Sequence, residues 1–119
     1  MPARRVLVID DNPDMCFALK GLLGHLGYEV ETAGDGSQGL ALQRVRPVAV
    51  VITDIFMPGK EGMETIAAFK AQWPGVRVIA MSGGGDVARG SYLDVARHVG
   101  ADAVLQKPFS LETLKQALG

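Results

Sequence analysis

Asp10, Asp11, Asp54, Ser82 and Lys107 are the residues of this sequence best able to do chemistry together. Each closes a short apolar run: Arg5 to Ile9 leads into Asp10-Asp11, Val48 to Thr53 into Asp54, Val76 to Met81 into Ser82, and Ala103 to Gln106 into Lys107. Three ionised carboxylates against one ammonium leave a local charge of −2, which is unfavourable where such groups are crowded and partly desolvated. A divalent cation brings the sum to zero. Oxygen donors, with no histidine near a strand end, favour Mg²⁺ or Mn²⁺ over zinc. Mg²⁺ keeps several waters and takes one or two protein carboxylates, which leaves an oxygen of Asp54 for chemistry. A carboxylate beside Mg²⁺ and a lysine is what phosphoryl transfer to an aspartate requires. The metal neutralises charge, Lys107 holds one equatorial oxygen and the Ser82 hydroxyl can take another.

This chemistry depends on strands that bring their ends to one rim, and the sequence supplies them. Apolar runs alternate with segments of helical period five times. Asn12 offers an N-cap, Pro13 suits the first helical position and Asp14 complements the dipole. Cys16, Leu19, Leu22, Leu23 and Leu26 then recur at helical spacing, and Gly27 is placed to stop the helix. Tyr28 to Ala33 reads as a weaker, more polar strand near an edge. Asp35 to about Val45 is a second helix, closed by Arg46-Pro47. Val48 to Asp54 is the most apolar run and reads as a central strand buried on both faces.

Pro58-Gly59 marks a loop. Gly62 to Trp73 is a third helix whose face is set by Met63, Ile66, Ala67 and Phe69 or Lys70, and Pro74-Gly75 stops it. Val76 to Ser82 is strand four, followed by a Gly83-Gly84-Gly85 hinge that would let Ser82 close on a phosphoryl oxygen. Val87 to about Val99 is a fourth helix, Ala103 to Lys107 a fifth strand, and Ser110 caps a last helix over Leu111, Leu114 and Leu118. Strict βα alternation predicts an α/β fold, a doubly wound five-stranded parallel sheet with helices on both faces. Ligand sites of such sheets lie at the carboxyl ends of the strands.

The composition narrows the class. A chain of 119 residues, with no linker or repeat, predicts one domain over 1–119 with a buried core. Its net charge of −1 and lack of a basic run give no nucleic-acid footprint. No window approaches the ~18 apolar residues of a membrane span, and Met-Pro-Ala-Arg-Arg is no secretory signal. The single Cys16 forms no internal disulfide and suits a reducing compartment, so a cytoplasmic location is expected. Cys16 reads as a small core residue, His25 and His98 as exposed or packing residues, and Trp73 as a staple at the end of the third helix.

Val8-Ile9-Asp10-Asp11-Asn12, Asp54-Ile55-Phe56-Met57-Pro58-Gly59, Met81-Ser82-Gly83 and Lys107-Pro108-Phe109 occur in this order on the expected strands. Together they resemble the receiver domain of two-component response regulators, from Arg5 to Leu118. The resemblance implies a flavodoxin-like (βα)5 fold of strand order 2-1-3-4-5. It also implies Asp54 as phosphoacceptor, and Mg²⁺ held by Asp10, Asp11, Asp54 and the main-chain carbonyl of Phe56, with Asp11 the more direct ligand of the acidic pair. Ser82 matches the residue that binds the phosphoryl group, Lys107 the lysine that contacts it, and the Lys107–Pro108 peptide is expected to be cis. The implied phosphodonor is a histidine kinase or a histidine phosphotransfer protein. The domain would catalyse only its own phosphorylation and dephosphorylation.

Three residues before Lys107 the family usually has Tyr or Phe, and this chain has Val104. Signalling is therefore expected to run through the Gly83–Gly85 loop and the fourth helix rather than a ring switch. The bulk of Phe56, two residues after the acceptor, predicts slow dephosphorylation. Two rival functions bear comparison. A phosphatase of the haloacid dehalogenase type needs a second aspartate where Phe56 stands. A flavodoxin-like ligand-binding module needs a phosphate-cradling loop where the acidic Asp10 to Asp14 run stands. A downstream partner protein, a fused output domain and a phosphorylation-dependent homodimer through the fourth- and fifth-helix face all stay open as outputs.

Overall fold

The apolar runs form five parallel strands in a computed structural model that describes residues 4–55, 62–83 and 96–119. Strands β1 (Arg5–Ile9), β2 (Glu29–Ala33), β3 (Val50–Asp54), β4 (Arg77–Gly83) and β5 (Ala103–Lys107) are arranged in the order 2-1-3-4-5. The helices are α1 (Pro13–His25), α2 (Gly36–Val45), α3 (Gly62–Gln72), α4 (described over 96–98) and α5 (Leu111–Leu118). Phe56, the turn expected at Pro58-Gly59, Gly84 to Asp86 and the helix expected over 87–95 lie outside the described residues.

Alternation along the strands divides the interior into two layers. Val6 and Val8 of β1, Val50 and Ile52 of β3, Ile79 and Met81 of β4 and Leu105 of β5 pack with α1 and α5 through Cys16, Leu19, Leu23, Leu114 and Leu118. Leu7, Ile9, Val51, Val78 and Ala80 face the other way, toward Leu40 of α2, Ile66 and Phe69 of α3 and Ala96. β3 is central and buried throughout, whereas β2 is an edge strand with a partly exposed pattern. Trp73 packs on Phe69, with ring centroids 5.4 Å apart, and so staples the end of α3. His25 and His98 are exposed.

The helix starts follow the capping chemistry. Asn12 Oδ1 accepts from the Asp14 and Met15 N–H groups at 2.9 and 3.4 Å, Asp35 Oδ1 from Gln38 N–H at 2.8 Å, and Ser110 Oγ from Thr113 N–H at 3.1 Å. Gly27 takes φ +95 just past α1.

Several positions differ from the sequence expectation. Leu22 is exposed because α1 buries Cys16, Leu19 and Leu23 against the sheet, with Met15 and Leu26 packed beside them, and Leu22 falls off that face. In α3 Ala67 is exposed and Thr65 is buried in its place. β3 begins at Val50 rather than Val48. The side chain of Gln43, 1% exposed, reaches from α2 to occupy the Val48 main chain, accepting from its N–H at 3.0 Å and donating to its carbonyl at 3.5 Å. At the amino end of the sheet, Lys70 Nζ donates to Val76 O and to Asp102 Oδ2, both at 2.8 Å, and Asp102 Oδ2 also accepts from Val78 N–H at 2.8 Å.

Candidate phosphoacceptor site

The two-residue period that builds the core also aims the site. Asp54 continues the face of Val50 and Ile52, and Lys107 that of Leu105. Asp10 extends β1 by one residue, its N–H donating to Ala33 O at 3.0 Å, and so continues the face of Val6 and Val8. All three side chains leave the sheet on one side, above the α1–α5 layer. Lys107 Nζ donates to Asp10 Oδ2 and to Asp54 Oδ2, at 3.1 Å each. Asp10 and Asp54 are 1% and 10% exposed at their side chains, Lys107 18%.

Burial works against the charged ammonium, but the hydrogen bond and charge of Asp54, followed by those of Asp10, outweigh it and hold the Lys107 pKa above its ordinary value. Lys107 is therefore charged at neutral pH. Asp11, exposed, brings a third carboxylate: one oxygen each from Asp10, Asp11 and Asp54 lie within 4.8 Å of one another. Such an oxygen-only cluster has the donor chemistry of a hard divalent cation.

Local bonds hold Asp10 from several directions. Its Oδ1 accepts from Asn12 N–H at 2.9 Å, and its main-chain carbonyl accepts from Cys16 Sγ at 3.4 Å. Asn12 was legible as a helix cap, but its main-chain hold on Asp10 was not. The thiol pKa of Cys16 is raised, first by burial and then by the Asp10 charge, so Cys16 behaves as a packing and weak hydrogen-bonding group. An open cleft of about 570 Å³ borders the cluster, lined by Asp10, Asp11, Phe17, Lys20, Thr32 and Gln38 among others. Asp54 and Lys107 do not line it, so the cleft flanks the cluster on the β2 side.

Ser82 is fully buried and follows Met81, the residue in register with Asp54. It shares the period of Val78 and Ala80 rather than that of Asp54 and Lys107, so it lies near the end of β4 at the same rim but on the other face of the sheet. The Lys107–Pro108 peptide is cis. Val104 is partly buried and packs against the α2–α3 core layer. The expected Phe56 carbonyl ligand lies outside the described residues.

A family model for the response regulator receiver domain matches residues 6–119. The chain belongs to this family. This receiver domain is similar to the probable chemotaxis protein CheY of Rhizobium etli, with 32% identity over 96% of this chain and 88% of that protein. It is 39% identical to the transcriptional regulatory protein PrrA of Mycobacterium leprae, over 92% of the receiver domain and 46% of PrrA. A response regulator receiver domain protein from Clostridium thermocellum has the same fold, with a TM-score of 0.85 and 33% identity over 97% of this chain and 90% of that one. The receiver domain thus spans most of the CheY but less than half of PrrA. Among its described residues no helix is long and apolar enough to cross a membrane.

Proposed function

We propose that this receiver domain takes a phosphoryl group from a phosphohistidine onto Asp54, with Mg²⁺ held by Asp10, Asp11 and Asp54. The observation that carries the reading is Lys107 Nζ, 3.1 Å from both Asp10 Oδ2 and Asp54 Oδ2. The donor set fits the metal, since three carboxylates offer oxygens within 4.8 Å of one another. When bound, Mg²⁺ neutralises charge on the transferring group. The Phe56 main-chain carbonyl is the further ligand that family membership suggests.

An Asp54 carboxylate oxygen is the nucleophile. Its bond to phosphorus forms as the P–N bond of the phosphohistidine breaks. The electron pair goes to the ring nitrogen, which takes up a proton from solvent. Lys107 holds an equatorial oxygen of the acyl phosphate, and the Ser82 hydroxyl takes another. The donor is a histidine kinase or a histidine phosphotransfer protein, and the domain catalyses only its own phosphorylation and dephosphorylation. The relatives include both a CheY and longer transcriptional regulators, so the output is either a docked partner or a fused domain, in the cytoplasm. Phe56 two residues after Asp54, and the acidic run from Asp10 to Asp14, weigh against the phosphatase and flavodoxin-like readings.

Intact mass after incubation with Mg²⁺ and acetyl phosphate tests the reading. Gain of one alkali-labile phosphoryl group, absent in Asp54→Asn, is expected. A wild type left unmodified both by acetyl phosphate and by a phosphorylated histidine phosphotransfer domain overturns it.

A further inference from the structure

Thr53 is a polar residue with no exposed surface. It lies in register between Ile9 and Ala80, which belong to the core layer under α2 and α3. Shape and strand preference alone suit valine at such a position, and burying a hydroxyl is costly unless it is bonded. Here the bond is local: Thr53 Oγ1 donates to the main-chain carbonyl of Asp54 at 3.1 Å.

The same carbonyl meets the start of α3. A Cβ built on Gly62 would overlap Asp54 O and Ile55 Cα, so only a bare Cα fits there. Across the same peptide, Ile55 N–H donates to Met81 O at 3.0 Å. The peptide unit after the acceptor is therefore held at its oxygen by Thr53 and Gly62 and at its nitrogen by β4. The β1–β3 register ends at Ile9 and Thr53, so this peptide lies one step past the ladder on the β1 side. Holding this plane restrains ψ of Asp54 and so the orientation of the Cα from which the carboxylate side chain springs.

We propose that Thr53 is a positioning residue for the phosphoacceptor, its hydroxyl fixing the Asp54–Ile55 peptide so that the Asp54 carboxylate meets Lys107. Thr53 touches no reacting atom. The proposal rests on the acceptor reading for its kinetic consequence and on geometry alone for its structural one.

The test compares Thr53→Val, which keeps the shape and removes the hydroxyl, with Thr53→Ser, which keeps the hydroxyl. With Mg²⁺ and acetyl phosphate, Thr53→Val is expected to phosphorylate about tenfold more slowly at saturating donor, since small misplacements of a reacting group carry penalties of this order. Its half-saturating donor concentration stays close to that of the wild type, and Thr53→Ser recovers most of the rate. Crystal structures give a readout independent of phosphoryl transfer: the Asp54 Oδ2–Lys107 Nζ separation lengthens in the valine variant and stays near 3.1 Å in the serine variant. A wild-type rate in Thr53→Val, or a serine variant as slow as the valine variant, overturns the proposal. If the wild type itself accepts no phosphoryl group, the acceptor reading fails and the crystal structures decide the positioning role: an unchanged separation in Thr53→Val sinks it, a lengthened one upholds it.

Discussion

Lys70 of α3 and Asp102, just before β5, meet at 2.8 Å and tie together the end of the sheet that lies away from Asp54. Asp102 also accepts from Val78 N–H, and Lys70 also donates to Val76 O. Burial raises the Asp102 pKa, but the Lys70 and Val78 hydrogen bonds and the neighbouring Lys70 and Arg77 charges outweigh it, so the pKa falls below its ordinary 3.8. A lowered carboxylate pKa contributes stability above the unfolded value, and that stability is lost as pH falls through the folded value. Urea unfolding should therefore show Asp102→Asn less stable than the wild type by about 1 kcal/mol at pH 7, a modest figure because the pair is partly solvated. The gap should close below pH 3.8. A gap of equal size at both pH values would contradict the assignment.

Lys107 is the cation that Asp10 and Asp54 share. Lys107→Met leaves two buried carboxylates without it, and in metal-free buffer this should cost about 3 kcal/mol. Added Mg²⁺ should narrow the deficit: without the competing ammonium the carboxylates bind the cation more tightly, so the variant gains more by mass action than the wild type. Thermal melts with EDTA and with Mg²⁺ read this directly. Melts of both proteins unmoved by Mg²⁺ would mean that the carboxylates are not the metal site.

Gly62→Ala places a methyl group against Asp54 O and Ile55 Cα, backbone atoms that cannot swing aside. Overpacking of this kind costs about 2 kcal/mol, and here the displaced backbone is that of Asp54. Unfolding free energy and acetyl phosphate kinetics should both fall. Wild-type kinetics in a folded Gly62→Ala protein would show that the approach of α3 is not coupled to the acceptor.

Gln43 satisfies the Val48 main chain from within the core. Gln43→Leu has similar volume but leaves a buried N–H and carbonyl without that partner, for a loss of about 2 kcal/mol. Phosphorylation should be unaffected, since Gln43 lies at the far end of β3 from Asp54. Chemical denaturation together with intact mass separates the two effects.

The strands and helix starts were legible because their causes are local. A β-branched apolar run specifies a buried parallel strand, and Asn12, Asp35 and Ser110 each cap the helix that follows them. The strand-end argument likewise found Asp10, Asp54 and Lys107, since a parallel sheet gathers its carboxyl ends. Gln43, Thr53 and Thr65 were not legible, because a buried polar side chain is explained by the backbone group it satisfies or the packing around it. Lys70 was read as a candidate for the face of α3, and its bonds to Val76 and Asp102 depend on contacts across the fold. Ser82 was read with the other site residues, although the two-residue period sets it on the opposite face of the sheet.

Asp10 and Lys107 stand 97 positions apart in the chain, and β3 and β4 must lie between their strands before they can meet. On the ribosome, both aspartates emerge well before the lysine that balances them. A nascent chain halted after β4 would hold the acceptor and its acidic neighbours without their counter-charge. The counter-charge thus arrives only with β5, so the contact of Lys107 with Asp10 and Asp54 marks a receiver domain whose five strands have been brought together.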